Sequence, residues 1–350
     1  MSNLERVAWY YGAGRLFLPR PRYFCFNATL RCDLRCLHCG IWEDKLDGEE
    51  LSATALGEIL SQDFFKNVHT AWLTGGEPTL RADAGELAEV MASHLPSLRT
   101  LGLATNGVQT DRVMTRVREM QKALDPKSQS LFVHISLDGY REVHDSIRRR
   151  KGAFDGVVAT LDEIQKMAKG TAGIGAGLNC VIQPENVNDL HNIYRFARDR
   201  GLTVTFNPVV ITDQIYRTSN RAQELGLSRE AKEKIIAFLE GIMPDVHPVF
   251  RYQYRIITAV LKGMRRPRRC LTLYSTININ ANGILIPCPA ASDIFPVNAC
   301  GKDMDAFWRG KDARAMRRRV AREFCPSCML SCSVGDAMSI TELVQGGWDF

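Results

Sequence analysis

The sequence predicts an α/β protein whose main part is a partial (β/α)6, TIM-like barrel, followed by a small α+β module. Strand-like runs alternate with helical patterns at intervals of about thirty residues, which is typical of strand–helix repeats and a parallel sheet. After Pro208 this rhythm ends, and six of the eleven cysteines lie beyond residue 265. Parallel barrels gather their chemistry at the carboxyl ends of the strands, so those ends are the candidate sites.

The six predicted strands are short apolar runs bounded by turn residues. They cover residues 23–28, 70–73, 100–104, 131–137, 174–182 and 203–208. Apolar residues recur at helical spacing between them, over residues 87–95, 157–168 and 190–197, which predicts amphipathic helices. Asp83 and Glu86 form a capping-box pattern ahead of the first of these helices. A further helix is predicted over residues 228–241, followed by a linker with Pro and Arg up to residue 269.

The composition fits one large or two medium globular domains with a buried core: the chain has 350 residues, 45% hydrophobic and 24% charged. We predict an N-terminal extension (1–22), a barrel (23–240) and a C-terminal module (241–350). The first 23 residues contain no apolar run long enough for a signal peptide or a transmembrane segment. Eleven cysteines without an export signal favour metal ligation over disulfides, because a reducing compartment keeps thiols free. We therefore expect a cytoplasmic protein.

The charge pattern argues against a nucleic-acid partner. The net charge is only +6, and 39 acidic residues are interspersed with 45 basic ones. A nucleic-acid reader would show a concentrated basic face and a recognisable reading motif, and neither is evident in the sequence. Local basic runs at 148–151, 265–269 and 317–319 are predicted to be solvated faces, or sites that attract an anionic substrate, a phospholipid surface or an acidic reductase.

Three cysteines, Cys32, Cys36 and Cys39, lie within eight residues just after the first predicted strand. Such a group can ligate three irons of a four-iron cluster and leave the fourth iron open, which makes that iron a binding site. A zinc knuckle and a set of disulfides are the alternatives. Zinc fingers usually pair Cys-x2-Cys with a second, distant pair, so the spacing favours the cluster.

The second predicted strand runs into Gly75, Gly76, Glu77 and Pro78. Two successive residues without side chains let the backbone approach a ligand closely and leave polar groups free to bind it. Alone, this stretch would be an ordinary turn. Together with the Cys-x3-Cys-x2-Cys spacing, it resembles the motifs of the radical S-adenosylmethionine (SAM) enzymes.

The resemblance implies an activity and its cofactors. The cysteine triplet would hold a 4Fe-4S cluster, and the Gly-Gly-Glu-Pro motif would hold the amino group of SAM. An electron from the cluster would cleave SAM to methionine and a 5'-deoxyadenosyl radical, which abstracts a hydrogen atom from the substrate. The barrel would orient the reacting carbon and exclude water. A flavodoxin or ferredoxin-type partner is the expected reductant, and no catalytic acid or base is assigned.

Further strand ends continue the resemblance. The expected SAM-binding residues are His38, Gly75, Gly76, Glu77, Pro78, Thr105, Asn106, Ser136, Asp138, Arg148 and Asn179. Ser136, more than Asp138, is expected at the ribose. Arg148, in a His-Asp-x-x-Arg stretch, would pair with the methionine carboxylate. Asn179 would lie near the adenosyl group or be a locally satisfied buried amide, and His38 would pack beside the adenine.

The C-terminal cysteines give a second pattern. Cys270 and Cys288 flank Gly283 in a Cys-x12-Gly-x4-Cys arrangement, and Cys325, Cys328 and Cys332 follow. This resembles the SPASM and twitch modules, with a hairpin over 276–279 and 284–286, and implies one auxiliary 4Fe-4S cluster. Four of these five thiols would suffice, so the choice among the last three stays open, as does a structural zinc. The remaining cysteines are predicted to be structural: Cys25 and Cys180 in strands, and Cys300 in a loop.

The resemblance fixes the reaction class but not the substrate. We expect hydrogen abstraction from a small metabolite or lipid-linked substrate, with the auxiliary cluster accepting an electron or binding the substrate. We place a small or lipid-linked substrate ahead of a peptide because no peptide-binding domain is recognisable before Cys32. A peptide- or protein-modifying maturase is the alternative. A non-enzymatic zinc or iron–sulfur regulatory protein is the distant one.

Overall fold

The computed structural model describes residues 18, 20–43, 46–267 and 270–330. Its strands form one eight-stranded sheet in the order β6-β5-β4-β3-β2-β1-β7-β8. The strands are β1 (Tyr23–Thr29), β2 (Thr70–Gly75), β3 (Thr100–Thr105), β4 (Ser130–Ser136), β5 (Ile174–Ile182), β6 (Thr203–Pro208), β7 (Thr276–Ile279) and β8 (Leu285–Ile286). Neighbours from β1 to β6 pair in parallel, as predicted for a partial barrel. The α/β fold class is confirmed, and each predicted strand is recovered within two residues.

Helices connect and cover the parallel strands. Those of the barrel are α1 (Ala53–Leu60), α2 (Ala84–His94), α3 (Thr110–Lys122), α4 (Glu142–Arg148), α5 (Ala153–Gly170) and α6 (Leu190–Asp199). Those beyond β6 are α7 (Ala222–Leu225), α8 (Arg229–Ile242), α9 (Pro248–Leu261), α10 (Thr272–Ser275), α11 (Met304–Arg309) and α12 (Lys311–Glu323). Within the described residues, no helix is long and apolar enough to cross a membrane.

Two local predictions are wrong. Asp83 precedes α2 but makes no capping hydrogen bond, because its carboxylate accepts both Nε (2.7 Å) and Nη2 (2.5 Å) of Arg81. The predicted linker before residue 269 is largely helical: α9 occupies fourteen residues and begins with Pro248 at its first turn, where proline is tolerated. The Tyr254 ring of α9 is fully buried and packs near Phe206 of β6, and this tertiary contact outweighs the local proline signal.

The predicted C-terminal hairpin exists, and it continues the barrel sheet. β7 pairs in parallel with β1, with Tyr23 opposite Thr276, and β8 returns antiparallel to β7. The outer edge of β1 is therefore covered by a strand from the last third of the chain. This pairing places the hairpin that leads to Cys288 next to β1, the strand that precedes the cysteine triplet.

The two faces of the sheet have different surroundings. Phe24, Phe26 and Ala28 of β1 are fully buried in the main core, whereas Tyr23, Cys25 and Asn27 are only half-buried. On the opposite face from the core, Trp72 of β2 contacts Phe132 and His134 of β4 across the intervening strand β3. Gly102 makes this possible, because a Cβ there would overlap the Trp72 ring. Aromatic side chains thus fill the inside of the barrel.

Candidate active site

The cysteine triplet lies on a loop that directly follows β1 and is tied to three other segments. The backbone N–H of Leu37 donates to Ile147 O (2.9 Å), that of Gly40 to Tyr216 O (2.6 Å), and that of Glu77 to Arg31 O (2.8 Å). These segments follow β4, β6 and β2, so the loop sits at the carboxyl ends of the strands, as predicted. Fixed backbone positions hold its thiols in place before any ligand binds.

Two arginines fix the carbonyls of the same loop. Arg35 Nη1 donates to Cys32 O (2.7 Å), and its guanidinium lies over the Trp42 ring. Arg221 Nη1 donates to Leu37 O (3.0 Å), while its Nη2 reaches Glu43 (2.8 Å). Sequence reasoning missed Arg221, because it lies in the irregular stretch after β6, where no periodic pattern marks a role.

The three thiols are shielded from water. Cys36 is buried, and Cys32 and Cys39 are half-buried. Burial raises the pKa of Cys32 to about 11 and that of Cys39 to about 12. Burial also raises the pKa of Cys36, although the nearby Arg148 cation opposes the shift. Deprotonation therefore requires a strong compensating cation, which an iron cluster supplies.

The donor set fits a cluster better than a single ion. The loop offers three thiols, Cys32, Cys36 and Cys39. A structural zinc site uses four ligands in a closed tetrahedron. In a four-iron cluster each thiolate binds a different iron, so three thiols would leave one iron open.

The glycines of the Gly-Gly-Glu-Pro turn serve a different purpose from the one predicted. A Cβ on Gly75 would overlap the carbonyl oxygen of Thr29, and Gly75 also has a φ of +117°. A Cβ on Gly76 would lie 2.7 Å from the carbonyl carbon of Arg31. The space beside both residues is thus taken by the backbone of the cysteine loop rather than kept for a ligand. The turn and the loop are packed as one unit.

Glu77 joins the ends of β2 and β3. Its carboxylate is fully buried and accepts hydrogen bonds from Thr79 Oγ1 (2.6 Å), Thr105 Oγ1 (2.8 Å) and the backbone N–H of Asn106 (2.7 Å). Burial raises the pKa of Glu77, while these donors oppose the shift. The side chain is therefore committed to the protein, as is the hydroxyl of Thr105. Pro78 begins the single helical turn after it.

Asp33, between the first two cysteines, was missed by sequence reasoning. Its carboxylate accepts Asn106 Nδ2 (2.8 Å) and Arg112 Nη2 (2.6 Å). Asn106 Oδ1 in turn accepts the backbone N–H of Val108 (3.0 Å). Asn106, a predicted SAM contact, thus holds the cysteine loop against the end of β3. The available signal was its acidic type within an otherwise basic and cysteine-rich loop.

Asp138 and Arg148 form a buried ion pair beside the triplet. Arg148 Nη2 lies 2.7 Å from Asp138 Oδ2, and Nη1 donates to Cys36 Sγ at 3.5 Å. Asp138 Oδ1 also accepts the backbone N–H of Val181 (2.8 Å). Arg148 Nε is buried without a hydrogen-bond partner, which leaves one donor that fits an anionic group such as the predicted methionine carboxylate. Asp138, fully buried and paired, has no exposed oxygen to offer a ribose.

His38 lies against this pair. Its Nε2 is 3.8 Å from Asp138 Oδ2, and Gln183 Nε2 lies 3.3 Å from its Nδ1. Burial lowers the pKa of His38 to about 4, so the ring is neutral near pH 7. A neutral, half-buried imidazole is compatible with packing beside a flat ring, as predicted.

Ser136 and Asn179 are paired across β4 and β5. Asn179 Oδ1 accepts Asn207 Nδ2 (3.0 Å), and Asn207 Oδ1 accepts Gln253 Nε2 (2.8 Å). This chain of amides fixes Asn179 with its NH2 group left for other acceptors. Both residues are half-buried at the strand ends, where the sequence placed them.

Four C-terminal thiols meet at one small cavity. Its lining includes Cys270, Cys288, Cys325 and Cys328, brought together from before α10, after β8 and after α12. The pKa of Cys270 is well below its usual value, chiefly because the Cys325 thiol donates to it. This converging set of soft donors fits the predicted auxiliary cluster. Cys332 lies outside the described residues, so its predicted role remains a prediction.

The other cysteines differ in exposure. Cys180 is fully buried, Cys25 is half-buried on β1, and Cys300 is exposed in a loop. None of the three lines the cavity of the four C-terminal thiols. Their placement agrees with the structural roles predicted for them.

Comparison with known proteins decides the family. The family model described as the radical SAM superfamily matches residues 26–197, which contain the cysteine triplet and the Gly-Gly-Glu-Pro turn. The chain carries a radical SAM domain. It is therefore an enzyme that uses 4Fe-4S clusters and SAM, as expected.

Individual relatives cover different shares of this radical SAM chain. Fe-coproporphyrin III synthase of Methanosarcina barkeri is 29% identical over 308 residues, 85% of this chain and 72% of that protein. The mycofactocin maturase MftC of Mycolicibacterium smegmatis is 31% identical over 189 residues, 53% of this chain and 44% of that protein. The chain thus spans less than half of the maturase.

Solved structures show the same fold. The structure of Streptococcus suis SuiB bound to S-adenosylmethionine is similar with a TM-score of 0.62, covering 90% of this chain and 72% of that one. Its sequence identity is 14%, so the likeness concerns the fold alone. The coverage extends past the barrel, which agrees with a C-terminal part that continues the same sheet.

Proposed function

We propose that this enzyme uses SAM to remove a hydrogen atom from a small metabolite or lipid-linked substrate. One contact carries the proposal: the Glu77 N–H donates to Arg31 O at 2.8 Å and thereby docks the Gly-Gly-Glu-Pro turn on the cysteine loop. The two motifs that must share one cofactor site thus meet at one edge of the barrel. When bound, the cluster and SAM supply a hydrogen-abstracting oxidant.

Cys32, Cys36 and Cys39 would hold the SAM-binding cluster. For SAM, the unpartnered Arg148 Nε fits the methionine carboxylate, since it is a buried donor that lacks an acceptor. The Glu77 carboxylate is occupied by Thr105 and Asn106, so backbone carbonyls of the turn would accept the amino group.

The ribose and adenine would be bound by side chains from β4, β5 and the cysteine loop. Ser136 and Asn179 stand at adjacent strand ends with polar groups suited to hydroxyls. His38 offers a neutral ring beside them. The groups that stay engaged with the protein, Asp138 and Glu77, would orient these contacts instead of making them.

The substrate would bind in a cavity of about 440 Å³ beside the cysteine loop. Its apolar wall includes Leu30, Ile215 and Ile286, which belong to the small cluster against which Cys39 packs. The polar groups of its lining are mostly amides and carboxylates, with one guanidinium and one hydroxyl: Asp47, Asn280, Asn282, Asp293, Asn298, Arg217 and Ser292. Apolar surface next to a few polar groups is typical of small-molecule sites.

The C-terminal thiols would hold an auxiliary cluster that accepts an electron from the substrate or binds it. Ile286 lines the substrate cavity and lies two residues before Cys288, one of the four converging thiols. The β7–β8 hairpin thereby links the cavity to the second metal site. An acceptor close to the substrate suits an oxidation that removes two electrons in separate steps.

The extent of the sequence match to one relative supports a small-molecule substrate. The match to Fe-coproporphyrin III synthase runs over 308 residues, longer than the barrel itself, whereas the match to the maturase MftC runs over 189. The maturase match, and the structural likeness to SuiB, keep peptide modification as a second candidate. The amide-rich lining of the cavity also suits a peptide backbone.

The test is anaerobic turnover of the iron-loaded protein with dithionite and SAM, with 5'-deoxyadenosine as readout. We expect its formation in the native protein and none in the C32A/C36A/C39A variant. Deuterated metabolites and peptides are then compared for deuterium transfer into 5'-deoxyadenosine. Transfer from a peptide alone would reverse the order of the two candidates, and cleavage by the triple variant would refute the site.

A further inference from the structure

Arginines approach the cysteine loop in two different ways. Arg35 and Arg221 donate to backbone carbonyls of the loop, at Cys32 and Leu37. Arg148 instead donates from Nη1 to the sulfur of Cys36 at 3.5 Å. Only 6% of the surface of Arg148 and of Cys36 is exposed, so water screens this contact poorly.

Asp138 holds the Arg148 guanidinium in place. Its Oδ2 lies 2.7 Å from Arg148 Nη2, and it is itself completely buried. The backbone N–H of Asp138 donates to His144 Nδ1 (3.0 Å), and its carbonyl accepts Asn186 Nδ2 (2.7 Å). Because this network fixes Asp138, the ion pair keeps the Arg148 guanidinium next to Cys36 Sγ.

Two charged side chains face Cys36 from α4 and the end of β4. They are one cation, Arg148, and one anion behind it, Asp138. The imidazoles of His38 and His144 both contact Asp138. The cation is the nearer of the two to the sulfur, since it contacts both partners.

We propose that Arg148 raises the reduction potential of the SAM-binding cluster through its contact with Cys36 Sγ, and that Asp138 is the positioning residue that both aims and moderates this cation. The proposal rests on the assignment of Cys36 as a cluster ligand. Reduction adds one electron to the cluster, and a donor at a ligand sulfur stabilises that added negative charge. A buried anion behind the donor has the opposite effect.

Removing the positive charge of Arg148 and removing the negative charge of Asp138 should therefore shift the reduction potential of the cluster in opposite directions. Arg148→Gln should lower the ratio of reduced to oxidised cluster at a fixed potential by about tenfold, a midpoint about 59 mV more negative for a one-electron couple. Arg148→Lys keeps the charge and should shift it less. Asp138→Asn should raise the midpoint, because the cation is then uncompensated. Arg149→Gln is the matched control, because Arg149 is exposed directly after α4, and its midpoint should stay close to native.

The measurement is an anaerobic redox titration of the holoenzyme, following the EPR signal that responds to SAM. Opposite shifts for Arg148→Gln and Asp138→Asn support the proposal. Shifts in the same direction, no shift, or loss of the cluster in both variants would overturn it, because the pair would then only hold the loop. A native protein without any SAM-responsive iron signal would instead refute the proposed function.

Discussion

Gly76 lies so close to Arg31 that no side chain fits between them: a Cβ on Gly76 would lie 2.7 Å from the Arg31 carbonyl carbon. The contact joins the turn after β2 to the loop that carries the cysteine triplet. Its atoms are backbone on both sides, so neither partner can move aside as a flexible side chain would. The position of the cysteine loop therefore depends on Gly76, a residue without a side chain.

Gly76→Ala should displace the cysteine loop. We expect a loss of about 1–3 kcal/mol in unfolding free energy, as for other overpacked sites, together with reduced iron retention. Chemical denaturation and iron content per chain measure the two effects. Gly241→Ala on α8 is the control, because nothing lies within 4 Å of its Cβ and helical alanine is favoured over glycine. Equal behaviour of the two variants would contradict the packing explanation.

Glu77→Gln should destabilise the protein even without any cofactor. The amide NH2 would face either the Asn106 N–H or the donors from Thr79 and Thr105, which leaves a buried donor unsatisfied. The expected loss is about 1–3 kcal/mol, measured by denaturation of the iron-free protein. The exposed Glu86 gives the control Glu86→Gln, which should change little. A fully native stability would mean that Glu77 acts on the ligand alone.

The C270A/C288A double variant should bind fewer irons per chain, by roughly four, because it removes two of the four converging thiols. It should still cleave SAM, without productive turnover, since the triplet is intact. Iron analysis and 5'-deoxyadenosine yield test this. Cys300→Ala removes an exposed thiol away from that cavity and should leave the iron content unchanged. Unchanged iron in the double variant would show that the second cluster is absent.

Arg317→Lys should weaken the C-terminal region. The buried Arg317 guanidinium stacks 4.2 Å from the Trp308 ring and donates to Leu273 O and Trp308 O, both at 2.8 Å. A lysine lacks the planar fork needed for both donations and the stacking, so we expect a loss of about 1–3 kcal/mol. Thermal unfolding measures it. Arg318→Lys, exposed on the same helix, should have little effect, and a similar loss there would argue against this role.

The sequence predicted the parts of the fold that local patterns encode. The parallel strands, the C-terminal hairpin over 276–286 and the placement of the cysteine triplet after β1 all follow from local sequence patterns. The pairing of β7 with β1 was beyond reach, because it joins segments separated by some 250 residues. The helix α9 was missed because its stability comes from tertiary burial of residues such as Tyr254.

The candidate site, like the fold, was predicted only in part. Residue types and strand ends indicated Ser136, Asn179 and Glu77 as candidates, and the structure places them near the barrel mouth. The sequence alone does not show that the Glu77 carboxylate accepts hydrogen bonds from Thr105 and Asn106. Nor does it show that Asp138 forms an ion pair with Arg148. These contacts join side chains that the fold brings together from distant parts of the chain, so the spacing of residues in a motif does not predict them.

We propose that the cysteine triplet leaves one iron of its cluster open for SAM. The most direct test is the EPR spectrum of the reduced C270A/C288A protein, recorded with and without SAM, since this variant would retain only the cluster proposed at Cys32, Cys36 and Cys39. We predict that SAM changes the spectrum, because it binds the iron that lacks a protein thiolate. A spectrum that is identical with and without SAM, or the absence of any cluster signal, would contradict the account.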